Sequence, residues 1–140
     1  MLDAVDFIGQ WQVQRVIDDR YGGQQGVFEG TCVFSEQSAS RLDYAEEGKI
    51  RMGAGPSLTA NRRYLWVFGS ERVDVFFADG GAFHSFVPAG QTDGTDHPCG
   101  DDYYRVQYDF RHWPDWQATW HVTGPRKDYT STSRYNRVSP

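Results

Sequence analysis

The chain has 140 residues, 39% hydrophobic and 16% aromatic, with 14 basic against 19 acidic side chains and a formal charge of −5. That length suits one domain spanning 1–140, since domains run to roughly 100–200 residues, and the acidic balance argues against a nucleic-acid partner, which needs a basic stripe to displace counterions. No apolar run approaches the ~20 residues of a membrane span, and the two acids in Met1–Asp6, where a secretory leader carries positive charge, point to a cytoplasmic protein.

Asp3 can cap a single helical turn from Ala4 to Ile8, with Leu2, Val5 and Ile8 at helical spacing. One turn does not persist alone, so it must pack on something, and an open barrel end would serve. Beyond it the chain reads as strands near 9–18, 26–35, 41–52, 58–68, 71–78, 82–88, 102–111, 116–123 and 127–137. Turn residues separate them, among them Gly22-Gly23, Asp79-Gly80-Gly81, Trp113-Pro114-Asp115 and Gly124-Pro125. Pro88–Asp101 is the one long loop. Many short antiparallel strands in succession predict an all-β, up-and-down barrel of about 8–10 strands. A simple closed barrel of this kind takes an even count, so nine strands imply either a hidden strand or an irregular closure.

Alternation assigns the faces, because successive side chains on a strand point opposite ways. Trp11, Val13, Arg15 and Ile17 share the core face of the first strand; Leu42, Tyr44 and Glu46 share one on the third; Ala60, Arg62, Tyr64 and Trp66 share one on the fourth. If these faces point inward, the interior holds two guanidinium groups and a carboxylate. A buried charge is costly unless paired, so Glu46 is expected to neutralise Arg15 or Arg62, leaving the other cation for an anionic ligand group. The competing reading sets both arginines at the rims with their heads in water, and Arg63 competes with Arg62 for the inward position. Tyr104 and Tyr108 on one strand and Trp116 and Trp120 on the next are first of all core, and in a barrel of eight or more strands they can also wall a cavity.

His84 reads as a hydrogen-bonded structural histidine or a pocket proton donor, on the face opposite Phe83. His97-x-Cys99-x-x-Asp102 has the residue types of a zinc site or a nucleophile–base pair, but no Cys-x-x-Cys completes a metal set. It reads more simply as a loop tied down by local hydrogen bonds with Cys99 buried. Cys32 and Cys99 are expected to be thiols in a reducing compartment, with a disulfide between them only if the chain is exported.

The Gly9-x-Trp11 opening, the helical turn before it and the strand succession resemble the calycin superfamily, which includes lipocalins, fatty-acid-binding proteins and nitrobindin-like barrels. Tyr64-Leu65-Trp66, Phe83-His84, His97-x-Cys99-x-x-Asp102 and Gly124-Pro125-Arg126-Lys127-Asp128-Tyr129 resemble more closely a bacterial and fungal calycin-like family of unknown function. The superfamily likeness implies that Gly9 and Trp11 are structural and that a late arginine, Arg137 before Arg134, packs across the indole and closes the base. The carboxylate-gripping Arg-x-Tyr pair of fatty-acid-binding proteins is absent, since Arg134-Tyr135 lie on opposite faces. None of His84, His97, His112 and His121 aligns readily with the haem motif of nitrobindins, so no cofactor and no metal is expected, with haem a minor option.

The resulting expectation is a small-molecule ligand, amphipathic or aromatic and anionic, bound in the barrel by Arg15, Tyr44, Glu46, Arg62, Tyr64, His84, Tyr104, Tyr108 and Trp120. Two other classes stay open: a lyase or isomerase moving protons with His84, Tyr44 and Glu46, and a protein-interaction module with a filled core. Oligomeric state is not legible.

Overall fold

Along Gly9–Asp19 (β1), Trp11, Val13 and Arg15 are buried and Gln10, Gln12 and Gln14 exposed, the pattern of a strand with one face in a core. Ten more strands follow in the computed structural model, which describes residues 1–138: Gln24–Ser38 (β2), Arg41–Met52 (β3), Leu58–Phe68 (β4), Val73–Phe77 (β5), Ala82–Phe86 (β6), Gln91–Asp93 (β7), His97–Cys99 (β8), Asp102–His112 (β9), Asp115–Gly124 (β10) and Lys127–Arg137 (β11). All pair antiparallel in the order β6-β5-β4-β3-β2-β1-β11-β10-β9-β7, with β8 also on β9. The sheet curls into a nearly closed barrel. No helix among the described residues is long and apolar enough to cross a membrane.

The strand count is eleven, not nine, because the stretch expected as one long loop contains β7 and β8. Three-residue strands show no periodicity, and these two owe their existence to β9, which pairs with both. The closure is irregular. Past β7, Gly94 N–H donates to Val106 O at 2.9 Å and Thr95 N–H to Ser85 O at 2.8 Å, so an extended segment stitches β6 to β9. A side chain at Gly94 would begin 2.4 Å from Val106 Cγ1 and 3.2 Å from Ser85 O, so the seam needs glycine there.

The helical turn is Ala4–Phe7 (α1), and its buried face differs from the expected one. Ala4 and Phe7 are buried, whereas Val5 is 72% exposed. Phe7 enters the barrel end and meets Phe34, Trp66, Phe68, Phe110, Trp113 and Trp116 with ring centroids 5.0–6.1 Å apart. Burial of one large ring, worth about 1.5–3 kcal/mol, holds a turn too short to form alone.

Candidate functional site

Beneath that plug the core is solid; beyond it the barrel is hollow. A cavity of about 370 Å³ runs from Trp66 and Trp116 in the interior to the end where Tyr64, Phe83, Tyr104 and Tyr129 form the mouth. Its walls explain the space. On β10 and β11 the inward positions in mid-barrel are Ala118, Ser131 and Ser133, and register sets Ala118 beside Ser133 and Ser131 beside Trp120. Three small side chains leave an opening that the facing aromatics do not close.

The polar floor is built from β1, β3 and β11, with β2 between the first two. Arg15 (β1) donates from Nη1 and Nη2 to the two Glu46 oxygens at 2.9 and 2.7 Å, and from Nε to Ser133 Oγ at 2.6 Å. Tyr44 donates to Glu46 Oε1 at 2.5 Å and shares a 2.8 Å hydrogen bond with Tyr135. The Arg15 guanidinium also lies 4.8 Å from the centroid of the Phe28 ring. Burial alone would raise the Glu46 pKa and lower that of Arg15. The paired hydrogen bonds and mutual charge outweigh it, holding Glu46 below its ordinary range and Arg15 above its own. Burial pushes Tyr44, Tyr108 and Tyr135 up, so they are neutral phenols. The floor is therefore an ion pair that neutralises itself. Arg15 keeps two of its five N–H donors uncommitted.

The second polar group is the pair His84–Tyr108, which share a 2.8 Å hydrogen bond through His84 Nε2. Burial and the neighbouring His97 charge lower the His84 pKa to about 3, so the ring is neutral. Its Nδ1 has no hydrogen-bond partner and stands among the rings of Phe83 and Trp120, each met edge to face. His84 is not joined to Tyr44 and Glu46: the three groups named for proton transfer sit on one cavity in two separate networks.

All nine residues expected to meet a ligand line this cavity, whereas Trp11, Val13, Ile17, Leu42 and Ala60, assigned to the same inward faces, do not. Arg15 is buried with its head inside, which rules out the rim reading for it, while Arg62 is at the mouth, its side chain 46% exposed and its Nε 3.8 Å from Glu46. Arg62 rather than Arg63 turns inward. The interior is hollow, so the filled core of the interaction-module reading is not observed. Cys99 is exposed at the mouth, not buried, and Asp102 turns away to Lys127 at 3.1 Å, so His97, Cys99 and Asp102 do not assemble. Cys32 is a buried thiol on β2 and forms no disulfide with Cys99.

The sequence reading missed Ser131, Ser133 and Tyr129, although they alternate in step with Tyr135 on a recognised strand. It also placed Phe83 opposite His84, yet both line the cavity, because the β5–β6 register slips at Val75/Phe76.

At the plugged end Trp11 is fully buried and its Nε1 donates to Phe7 O at 2.9 Å. Arg137 covers the indole, its Cζ 4.0 Å from the ring centroid, and donates to the carbonyls of Ile8, at 2.7 Å, and Asp6. Gly9 has φ +126°, and a Cβ there would lie 3.0 Å from that guanidinium. Arg134 points outward.

Several solved structures share this fold. The S-type phycobiliprotein lyase CPES from Guillardia theta superposes with a TM-score of 0.72 at 8% identity, over 98% of this chain and 91% of its own. A DUF3598 family protein of unknown function from Nostoc punctiforme PCC 73102 gives a TM-score of 0.62 at 14% identity, over 99% of this chain but 50% of its own. The protein EF1p2_mFAP2b, solved bound to DFHBI, gives 0.51 at 16% identity, over 96% of each chain. Such identities establish a common fold and no more. No curated protein is significantly similar in sequence. Residues 7–137 match the model of DUF6314, a family of unknown function, and the chain belongs to that family.

Proposed function

We propose that this protein binds a small amphipathic or aromatic molecule with an anionic group inside the barrel. The observation that carries the reading is the cavity itself: about 370 Å³ of space, walled by rings and floored by a self-neutralised ion pair. Ligand pockets occupy roughly 300–1,000 Å³ and combine apolar walls with a few placed polar groups. Tyr64, Tyr104 and Trp120 supply ring faces. Tyr108 and His84 offer hydrogen bonds on one wall, and Arg15, Tyr44 and Glu46 form the floor. Arg62, the cation not engaged in hydrogen bonds to Glu46, orients the charged end. The barrel of similar fold solved bound to DFHBI supports the principle that such a scaffold can hold a small molecule. The Gly9, Trp11 and Arg137 contact supports a kinship of this family with the calycins.

Native mass spectrometry of protein purified from its own host tests the reading. One small molecule should co-purify with the wild type and be absent from Ala118→Phe, which fills the space beside Ser133. Bare chain from the native host, together with no uptake of a neutral aromatic dye, would overturn it.

A further inference from the structure

The cavity does not end at Arg62. A second hollow of about 270 Å³ adjoins it and shares Arg62, Tyr129 and Ser131. It lies at the open barrel end, where β1 gives way to the turn holding Tyr21 and where Arg126 and Lys127 lead into β11. Its charges are unequal. Arg62, Arg126 and Lys127 face one carboxylate, Asp19, whose Oδ1 already accepts from Gly22 N–H at 3.0 Å. Lys127 is committed to Asp102 at 3.1 Å and to the Tyr104 hydroxyl at 3.0 Å. Arg126 has no ion-pair partner among the described residues. Arg62 reaches only the edge of Glu46, which already accepts three hydrogen bonds, two from Arg15 and one from Tyr44.

We infer that this vestibule is an anion subsite, in which Arg62 and Arg126 hold the carboxylate, sulfonate or phosphate of a ligand whose aromatic body fills the barrel. The inference rests on the proposed binding function and adds polarity to it: the ligand enters rings first and keeps its acid outward. The charges at the two ends fix that direction. The floor has no spare charge, because Glu46 neutralises Arg15 through two hydrogen bonds, so an acid driven inward would meet the Glu46 carboxylate or have to break a buried pair. At the mouth, by contrast, Arg126 has no carboxylate partner among the described residues and Arg62 has only its 3.8 Å contact with the shared Glu46, and a planar fork binds an oxyanion through two parallel hydrogen bonds. The shared Arg62 also sets the ligand's shape. A compact acid would touch only the vestibule, so the molecule must be long enough to span both hollows.

A matched pair of fluorescent dyes separates this inference from the one beneath it. The anionic dye is 2-(p-toluidino)naphthalene-6-sulfonate, and its partner is the same molecule without the sulfonate. Wild type should bind the sulfonate about tenfold more tightly than its parent, the gain from one charge-assisted contact. Arg62→Gln/Arg126→Gln should bring the ratio of the two affinities to about one and abolish its salt dependence. Binding of the parent with no preference for the sulfonate, or a preference that survives in the double variant, overturns the subsite and leaves the cavity reading intact. If neither dye binds, both fall.

Discussion

At the end of the barrel covered by α1, Phe7, Trp11, Trp113 and Trp116 meet at steep angles and fill the axis, whereas at the opposite end Phe77, Phe83 and Trp120 stack nearly parallel along the wall and leave the axis open. Both ends are aromatic. The difference lies in what accompanies the rings. The plugged end receives a side chain from outside the sheet, Phe7, while the open end faces Ala118, Ser131 and Ser133 across the interior. Aromatic content therefore does not decide whether a barrel is full; the position of the small residues and the presence of a plug do.

Replacing one ring at each end tests that contrast most strongly. Phe7→Ala should destabilise the chain by about 4 kcal/mol in urea unfolding, the cost of a cavity in a close-packed core. Phe83→Ala should cost under about 2 kcal/mol, since the ring is only partly buried. Equal losses would show that the mouth rings are core. Next in size is the floor. Glu46→Ala should cost about 3 kcal/mol by leaving Arg15 buried and unpaired, and Arg15→Leu/Glu46→Leu should recover most of it, because the pair's desolvation offsets its attraction. A double variant as unstable as the single one would mean that the ion pair itself holds the barrel.

The two ends also differ in how far the sequence discloses them. Strand alternation identifies the inward faces of β1, β3, β9 and β10, which is why Arg15, Glu46 and Tyr108 could be placed by parity alone. Parity fails where geometry departs from two-residue repetition. A register slip at Val75/Phe76 brings both Phe83 and His84 to the cavity. A single helical turn has too few residues to show a periodic face, so Phe7 was hidden while Val5 looked buried. The strands β7 and β8 exist only because β9 offers them an edge. The vestibule needs the ends of β1, β4 and β11 side by side, and no local pattern carries that.

His84 yields a pH prediction of intermediate size that also distinguishes the ends, since the rings that meet Phe7 are phenylalanines and tryptophans. Its folded pKa is depressed to about 3, below the ordinary value of about 6.5, so between those values the unfolded chain binds the extra proton. The stability is thus fully present above about pH 6.5 and declines as pH falls toward 3. From pH 7 to pH 5 the loss from this group should be about 2 kcal/mol. Glu46, whose pKa is also depressed, adds a loss of the same sign only below its unfolded value of 4.5. Urea melts at pH 7, 6 and 5 for wild type and His84→Gln check this. A wild-type slope no steeper than that of the variant would mean that His84 charges within the folded barrel.

The smallest expected effect separates closure of the plugged end from its packing. Arg137 contributes a cation over Trp11 and two hydrogen bonds to the carbonyls of Ile8 and Asp6, all near the surface. Arg137→Gln should therefore cost about 1 kcal/mol, the scale of an exposed cation–π contact. Arg137→Lys should recover only part of that loss, because an ammonium keeps the charge but cannot stack flat while bonding two carbonyls at once. Arg134→Gln, three residues earlier on the same strand and facing solvent, should change stability by less than about 0.5 kcal/mol. Thermal midpoints rank the three variants, and a shift in tryptophan emission for Arg137→Gln alone would locate the change at the indole. If Arg137→Gln matched Arg134→Gln, packing by Phe7 would suffice to close that end, and the guanidinium would be a bystander on a plug already seated.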